Sequence, residues 1–153
     1  EHGGNWLESR MSRLGGHFAG ILRVEVPSEN EPPLVAALKK LEARGLTVVV
    51  HPDQPKPLPT SARQSVLEIV GQDRPGIVRE ISHALAGFGV NVEELETVCA
   101  SAAMSGEALF KAHARLSIPE TCDVAKIRQQ LERIAADLIV EISLAELPEP
   151  QRS

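Results

Sequence analysis

The stretch Gly71-Gln72-Asp73-Arg74-Pro75-Gly76-Ile77-Val78 has the residue types to hold a small charged molecule. It lies between an apolar run and a helical pattern. Asp73 suits a helix N-cap, where its carboxylate accepts hydrogen bonds from first-turn amides. Pro75 suits the first helical turn, where its missing N–H would have no partner in any case. Gly76 lets another backbone or a small ligand come close. The start of a helix presents free amides and the positive end of the macrodipole, so a carboxylate could bind there. The same residues also make a plain capping turn that binds nothing, and residue chemistry alone leaves the two readings even.

Other chemistry is poorly represented. His2, His17, His51, His83 and His113 fall on different elements, and none stands in an H-x-x-H or H-E-x-x-H spacing for a metal. Cys99 and Cys122 lie near a strand end and a helix start. A helix N-terminus could lower the Cys122 pKa, but no histidine is near in sequence to act as its base. They read as structural cysteines. Ser9 and Ser101 stand in no nucleophile elbow. Glu93, Glu94 and Glu96 would point to both faces of a strand, which reads as an acidic solvated or partner-facing surface rather than an acid–base pair. The expectation is a protein that is not an enzyme and carries no metal or cofactor.

The elements that position the turn follow from periodicity. Val66-Leu-Glu-Ile-Val70 predicts a short strand before it. Ile77, Ile81, Ala84, Leu85 and Phe88 recur at three- and four-residue spacing, a helix face ended by Gly87 and Gly89. Residues 91–99 are compatible with a strand. Ala108, Phe110, Ala112, Ala114, Leu116 and Ile118 alternate with polar residues until Pro119, a strand with one buried face. Val124, Ile127, Leu131, Ile134 and Leu138 give a second amphipathic helix, and Leu138, Val140, Ile142 and Leu144 alternate as a closing strand. The order β-α-β-β-α-β is the ferredoxin-like arrangement, α+β in class. Four prolines between positions 52 and 59 favour extended backbone, so residues 53–64 read as a linker, and residues 65–146 as the second domain.

Residues 1–52 repeat part of this pattern. Gly3-Gly4-Asn5-Trp6-Leu7-Glu8 lines up with Gly89-Val90-Asn91-Val92-Glu93-Glu94. Phe18, Gly20, Leu22, Val24 and Val26 alternate up to Pro27 as 108–118 do up to Pro119. Leu34, Leu38 and Leu41 give a helix face ended by Gly45, and Thr47-Val48-Val49-Val50 reads as a closing strand. No counterpart of residues 65–87 is present. A sheet short of a central strand and a helix would expose a wide apolar face. The expectation is therefore that some twenty further residues precede Glu1 in the natural protein, or that another chain covers this surface.

Composition narrows the function. The net charge is −5, aromatics are 3% of the chain, and there are two cysteines in 153 residues. A basic nucleic-acid face, a base-stacking platform and a disulfide scaffold are all excluded on these grounds. No apolar run approaches the length of a membrane span. The absence of a targeting pattern and of a disulfide framework favours the cytoplasm.

Asp73-Arg-Pro-Gly-Ile-Val78, a helix, and then Gly89-Val-Asn-Val92 resemble the ACT domain, a small regulatory βαββαβ module. Gly3-Gly-Asn-Trp-Leu-Glu-Ser-Arg-Met11 and Phe18-Ala-Gly-Ile-Leu-Arg-Val24 are similar to the first ACT domain of the glycine cleavage system transcriptional repressor family, which consists of two tandem ACT domains. The resemblance implies two tandem ferredoxin-like ACT domains, the first without its initial strand and most of its first helix. It implies an amino-acid effector, with glycine as the candidate, held where two ACT domains meet. The ligand loop would be Gln72, Asp73, Arg74, Pro75, Gly76, Ile77 and Val78, with Asn91 facing it from the next strand and Asn5 as its counterpart in the first domain. It further implies a homo-oligomeric repressor that contacts a DNA-binding transcription activator and does not itself grip DNA. Two other readings stand beside this one: a regulatory ACT module of an amino-acid or folate enzyme, such as a formyltetrahydrofolate hydrolase, and a structural pairing module without a ligand.

Overall fold

The computed structural model describes residues 2–52, 62–101 and 106–148. The chain divides into two compact units, Glu1–Lys56 and Pro57–Ser153. In the second unit, β3 (Ala62–Gln72), α2 (Ile77–Gly87), β4 (Asn91–Ser101), β5 (Ala108–Pro119), α3 (Val124–Leu138) and β6 (Val140–Glu146) follow the predicted order. The antiparallel sheet runs β4-β5-β3-β6. Alternation along β5 does what period-two patterning requires. Phe110, Ala112, Ala114, Leu116 and Ile118 are all buried, and they join Leu67 and Ile69 of β3 under Ile77, Ile81 and Leu85 of α2 and Ile127 and Leu131 of α3. Each fully buried leucine or isoleucine contributes about 1.5–3 kcal/mol relative to an exposed one.

Two helix ends explain how the elements are joined. The amides of Gly89 and Val90 donate to the carbonyls of Ala86 and Leu85, a Schellman closure of α2 that depends on Gly89 at φ 68°. At the start of α3, Asp123 caps the helix, with its carboxylate 3.0 Å from the Ala125 amide.

The other face of the sheet is wet and ordered by charge. Lys111, His113 and Arg115 form a column of bases along β5. Glu96 and Glu68 stand opposite His113 on either side, and Glu94 lies 3.5 Å from Arg115. A bulge between Val92 and Glu94 puts these two residues on opposite faces, where an unbroken strand would give them the same one, and so turns Glu94 and Glu96 toward the bases of β5.

In the first unit, β1 (Asn5–Leu14) and β2 (His17–Glu25) form a two-stranded antiparallel sheet, followed by α1 (Glu31–Lys39) and a 3-10 turn over Lys40–Arg44 that Gly45 ends at φ 84°. The hairpin repeats β4 and β5 pair for pair. Asn5 faces Glu25 as Asn91 faces Ser117, Trp6 faces Val24 as Val92 faces Leu116, and Glu8 faces Arg23 as Glu94 faces Arg115. Even the bulge falls at the same step, between Trp6 and Glu8.

Three sequence expectations need correction. Residues 47–50 form no strand. Their counterpart in the second unit, β6, pairs only with β3, and the first unit has no equivalent of β3 among the described residues, so a Thr-Val-Val-Val run of high strand propensity finds no ladder to join. The strand placed at 66–70 runs from Ala62 to Gln72. Residues 62–64 thus belong to this strand and not to a linker, and residues 53–61 lie outside the described residues. Polar Gln64 and Ser65 concealed this start: Ser65 faces the core and is fully buried.

Candidate functional site

The turn after β3 is built differently from its sequence reading. Asp73 does not cap α2. Its amide donates to the Ala108 carbonyl at 2.9 Å, so the β3–β5 ladder continues one residue past Gln72. The N-cap is Gly76, at φ 98°, and α2 begins at Ile77. Pro75 therefore precedes the cap and stands outside the first helical turn. The first intrahelical bond runs from the Glu80 amide to the Gly76 carbonyl at 2.9 Å, and no side chain caps the helix. The amides of Ile77, Val78 and Arg79 thus precede the first helical hydrogen bond, at the positive end of the helix dipole. Ile77 is buried and anchors the turn to the core, whereas Val78 is exposed.

The flank of the turn is a short polar chain. Gln72 donates through Nε2 to Glu107 at 2.9 Å, and its Oε1 accepts from Arg74 at 3.3 Å. Gln72 and Arg74 are thereby held beside the helix start. Glu107 was not legible as a member of this group. It is thirty-five residues away in sequence and reaches Gln72 only through the β3–β5 register, in which Gln72 faces Leu109.

Asn91 is not brought to the turn. It faces Ser117, whereas Gln72 faces Leu109, and Ser117 also faces Gln64. The eight steps from Gln64 to Gln72 separate the two sites by ~26 Å along the sheet. β3 and β4 run in the same direction, so α2 returns the chain to the end of the sheet where β3 began. The Asn91 amide nitrogen donates to Glu93 Oε1 at 2.7 Å. Asn5 occupies the matching place on β1, opposite Glu25. Among the described residues no group of three or more histidine, cysteine or acidic side chains could hold a metal, and no helix is long and apolar enough to cross a membrane.

The sequence profile of the ACT domain matches residues 63–145, more than half of the chain. This chain belongs to the ACT-domain family. The matched span is β3 through β6, which gives its ligand-loop candidates a place at the first strand–helix turn of an ACT domain. Among solved structures, a protein of unknown function from Galdieria sulphuraria is similar over 95% of this chain and 83% of its own, at 28% identity and a TM-score of 0.80. A candidate glycine cleavage system transcriptional repressor shares the fold over 97% of this chain and 84% of its own, at 16% identity and a TM-score of 0.71. In sequence, a UPF0237 protein of Streptococcus mutans is 29% identical over 82 residues, which is 53% of this chain and 85% of that one. These likenesses agree with tandem ferredoxin-like ACT folds. The ACT domain supplies a regulatory fold, and the comparisons carry the assignment no further.

Proposed function

We propose that this protein is a non-enzymatic, amino-acid-responsive regulator that represses expression of a glycine cleavage system through contact with a DNA-binding activator, as a cytoplasmic homo-oligomer. The observation that carries the ligand half of this reading is the uncapped start of α2 behind Gly76, flanked by Gln72 and Arg74. An α-carboxylate on the amides of Ile77 and Val78 would receive charge-assisted hydrogen bonds, the stronger kind. Side-chain oxygens of Asp73 and Asn91 suit an α-ammonium. Because Asn91 lies at the far end of its own sheet, a site using both Asn91 and residues 72–78 draws them from two ACT units. A second copy meeting the turn with its Asn91 meets that need, and Asn5 repeats the same position on the first unit's hairpin. The repressor role is supported by the shared fold with a candidate repressor and by the acidic charge of −5, which disfavours direct contact with DNA. An amino acid would regulate such contact only through unequal affinity for the bound and free forms.

Thermal unfolding of the full chain against a panel of free amino acids tests the reading. A ligand at a hundredfold over its dissociation constant adds about 2.7 kcal/mol. Glycine is expected to raise the melting temperature, Asn91→Ala and Gly76→Val each to abolish the rise, and an equimolar mixture of the two variants to regain part of it. No shift with any amino acid overturns the sensor reading. Loss in the single variants without recovery in the mixture overturns the two-unit site.

A further inference from the structure

The two hairpins share a bulge but not the residue that sits on it. In β4, Val92 faces Leu116 and Glu94 faces Arg115, so Glu93 is the extra residue, without a partner on β5. In β1, Trp6 faces Val24 and Glu8 faces Arg23, and the extra residue is Leu7. Each stands two places after the asparagine that opens its strand, Asn91 in β4 and Asn5 in β1. A bulge re-aims the side chain it carries. In unit 2 that side chain reaches back along its own strand, and Glu93 Oε1 accepts from Asn91 Nδ2 at 2.7 Å. In unit 1 the same place holds an exposed leucine, whose side chain has no acceptor to offer an amide. Glu94, the next acid along β4, is engaged elsewhere, 3.5 Å from Arg115.

The pair fixes which end of Asn91 a ligand meets. A carboxylate has only lone pairs to offer, so the Nδ2 end of the amide must face Glu93 and the Oδ1 end must face away. An amide that nothing holds presents either end, as donor or as acceptor. Asn91 held by Glu93 presents an acceptor, with a carboxylate beside it. A ligand group suits that place when it is both a donor and a cation, since charge-assisted bonds are the stronger kind. An ammonium meets both conditions, a hydroxyl only the first, and a carboxylate neither. Resting on the reading that Asn91 meets an amino acid, we infer that Glu93 is a positioning residue that makes the unit 2 hairpin selective for an ammonium-bearing ligand. The unit 1 hairpin, with Leu7 in the place of Glu93, lacks that selectivity, so Asn5 and Asn91 are alike in position and unlike in role.

Calorimetric titration of the full chain with amino acids and their α-hydroxy counterparts, glycine and glycolate first, tests this. The unaltered chain is expected to bind the amino acid about tenfold more tightly than the hydroxy acid, the difference between a charged and a neutral donor. Glu93→Gln keeps the length of the side chain but can donate as well as accept, so it should bring the two within about threefold. Glu93→Asp should restore part of the preference, and Glu94→Gln and Asn5→Ala should leave it unchanged. All these positions are exposed, and the melts of the variants should match that of the unaltered chain. A second readout needs no ligand: the Nδ2 proton resonances of Asn91 should move in Glu93→Gln and stay in place in Glu94→Gln. Amino-acid binding with its preference intact in Glu93→Gln overturns the inference and leaves the sensor reading standing. So does an absence of preference in the unaltered chain, an Asn91 signal indifferent to Glu93→Gln, or an equal loss of preference in Asn5→Ala. No binding of any amino acid to the unaltered chain overturns the sensor reading and this inference together.

Discussion

Two glycines five residues apart should fail for opposite reasons when replaced by alanine. At Gly71 the backbone is ordinary extended strand, but an added Cβ would lie 2.5 Å from Val140 Cγ1 and 2.9 Å from Val140 Cα. The second contact is to backbone and cannot be relieved by a rotamer change, so Gly71→Ala should cost about 1–3 kcal/mol as overpacking. At Gly76 there is nothing within 4 Å of the built Cβ, but φ is 98°. Gly76→Ala should therefore cost about 1–2 kcal/mol as backbone strain alone. The two mechanisms separate by rescue. Val140→Ala removes one of the Gly71 clashes, so the double variant should be less destabilised than the sum of the singles, with a coupling of about 0.5–1 kcal/mol, and it should leave Gly76→Ala unaffected. Gly76→Asn should recover part of the loss at position 76, since asparagine tolerates left-handed backbone, and the same residue at 71 should be worse than alanine. Thermal melts resolve these differences, because about 1 kcal/mol moves a domain of this size by ~4–8 °C. Equal cost of asparagine and alanine at 76, or strict additivity of Gly71→Ala with Val140→Ala, would refute the reasoning.

Three further outcomes follow from the core and the helix ends. Leu116→Asp and Phe110→Asp bury an uncompensated carboxylate on the core face of β5, and each should lose several kcal/mol, read as loss of the cooperative melt; native-like melting of both would show the strand register to be wrong. Asp123→Ala removes the one side-chain cap of α3 and should cost about 1 kcal/mol, while Asp123→Asn should retain most of it in the same chemical-denaturation assay. Ile139 ends α3 at φ 56°, a conformation that β-branched residues disfavour, and its side chain is 63% exposed. Ile139→Gly should therefore raise stability by a few tenths to about 1 kcal/mol, and a loss of that size would show that its contacts outweigh its strain.

The fold was legible wherever one periodicity ran unbroken. α3 and β5 alternate or repeat cleanly, because every core-facing position carries an apolar residue and Pro119 separates them. β3 was read short because its first residues include Arg63, Gln64 and Ser65, whose place in the strand is set by pairing with β5 and not by their own polarity. Residues 47–50 failed in the opposite sense: strand propensity without a neighbouring edge makes no strand. In the turn, residue types suggested an Asp73 cap, but the ladder bond from its amide to Ala108 claims that residue for the sheet and passes the cap to Gly76. The place of Asn91 could have been deduced, since a strand–helix–strand passage with parallel strands returns the chain to its starting end. Glu107 beside Gln72 could not, because only the final register joins them.

The bulge in each hairpin has a consequence for how the strands find each other. On the wet face of unit 2, acids on β4 meet bases on β5 at successive positions. Sliding one strand by two residues would set Glu94 against His113 and Glu96 against Lys111, again acid opposite base. Charge alone therefore tolerates several alignments. An extra residue at one fixed step does not slide, since it must meet the local break in the partner's hydrogen bonding. The step between Val92 and Glu94, like that between Trp6 and Glu8, acts as a notch that selects one alignment among those the side chains would accept. Two hairpins that differ at most of their residues keep the notch in the same place, so alignment in both is written into the backbone more firmly than into the side chains.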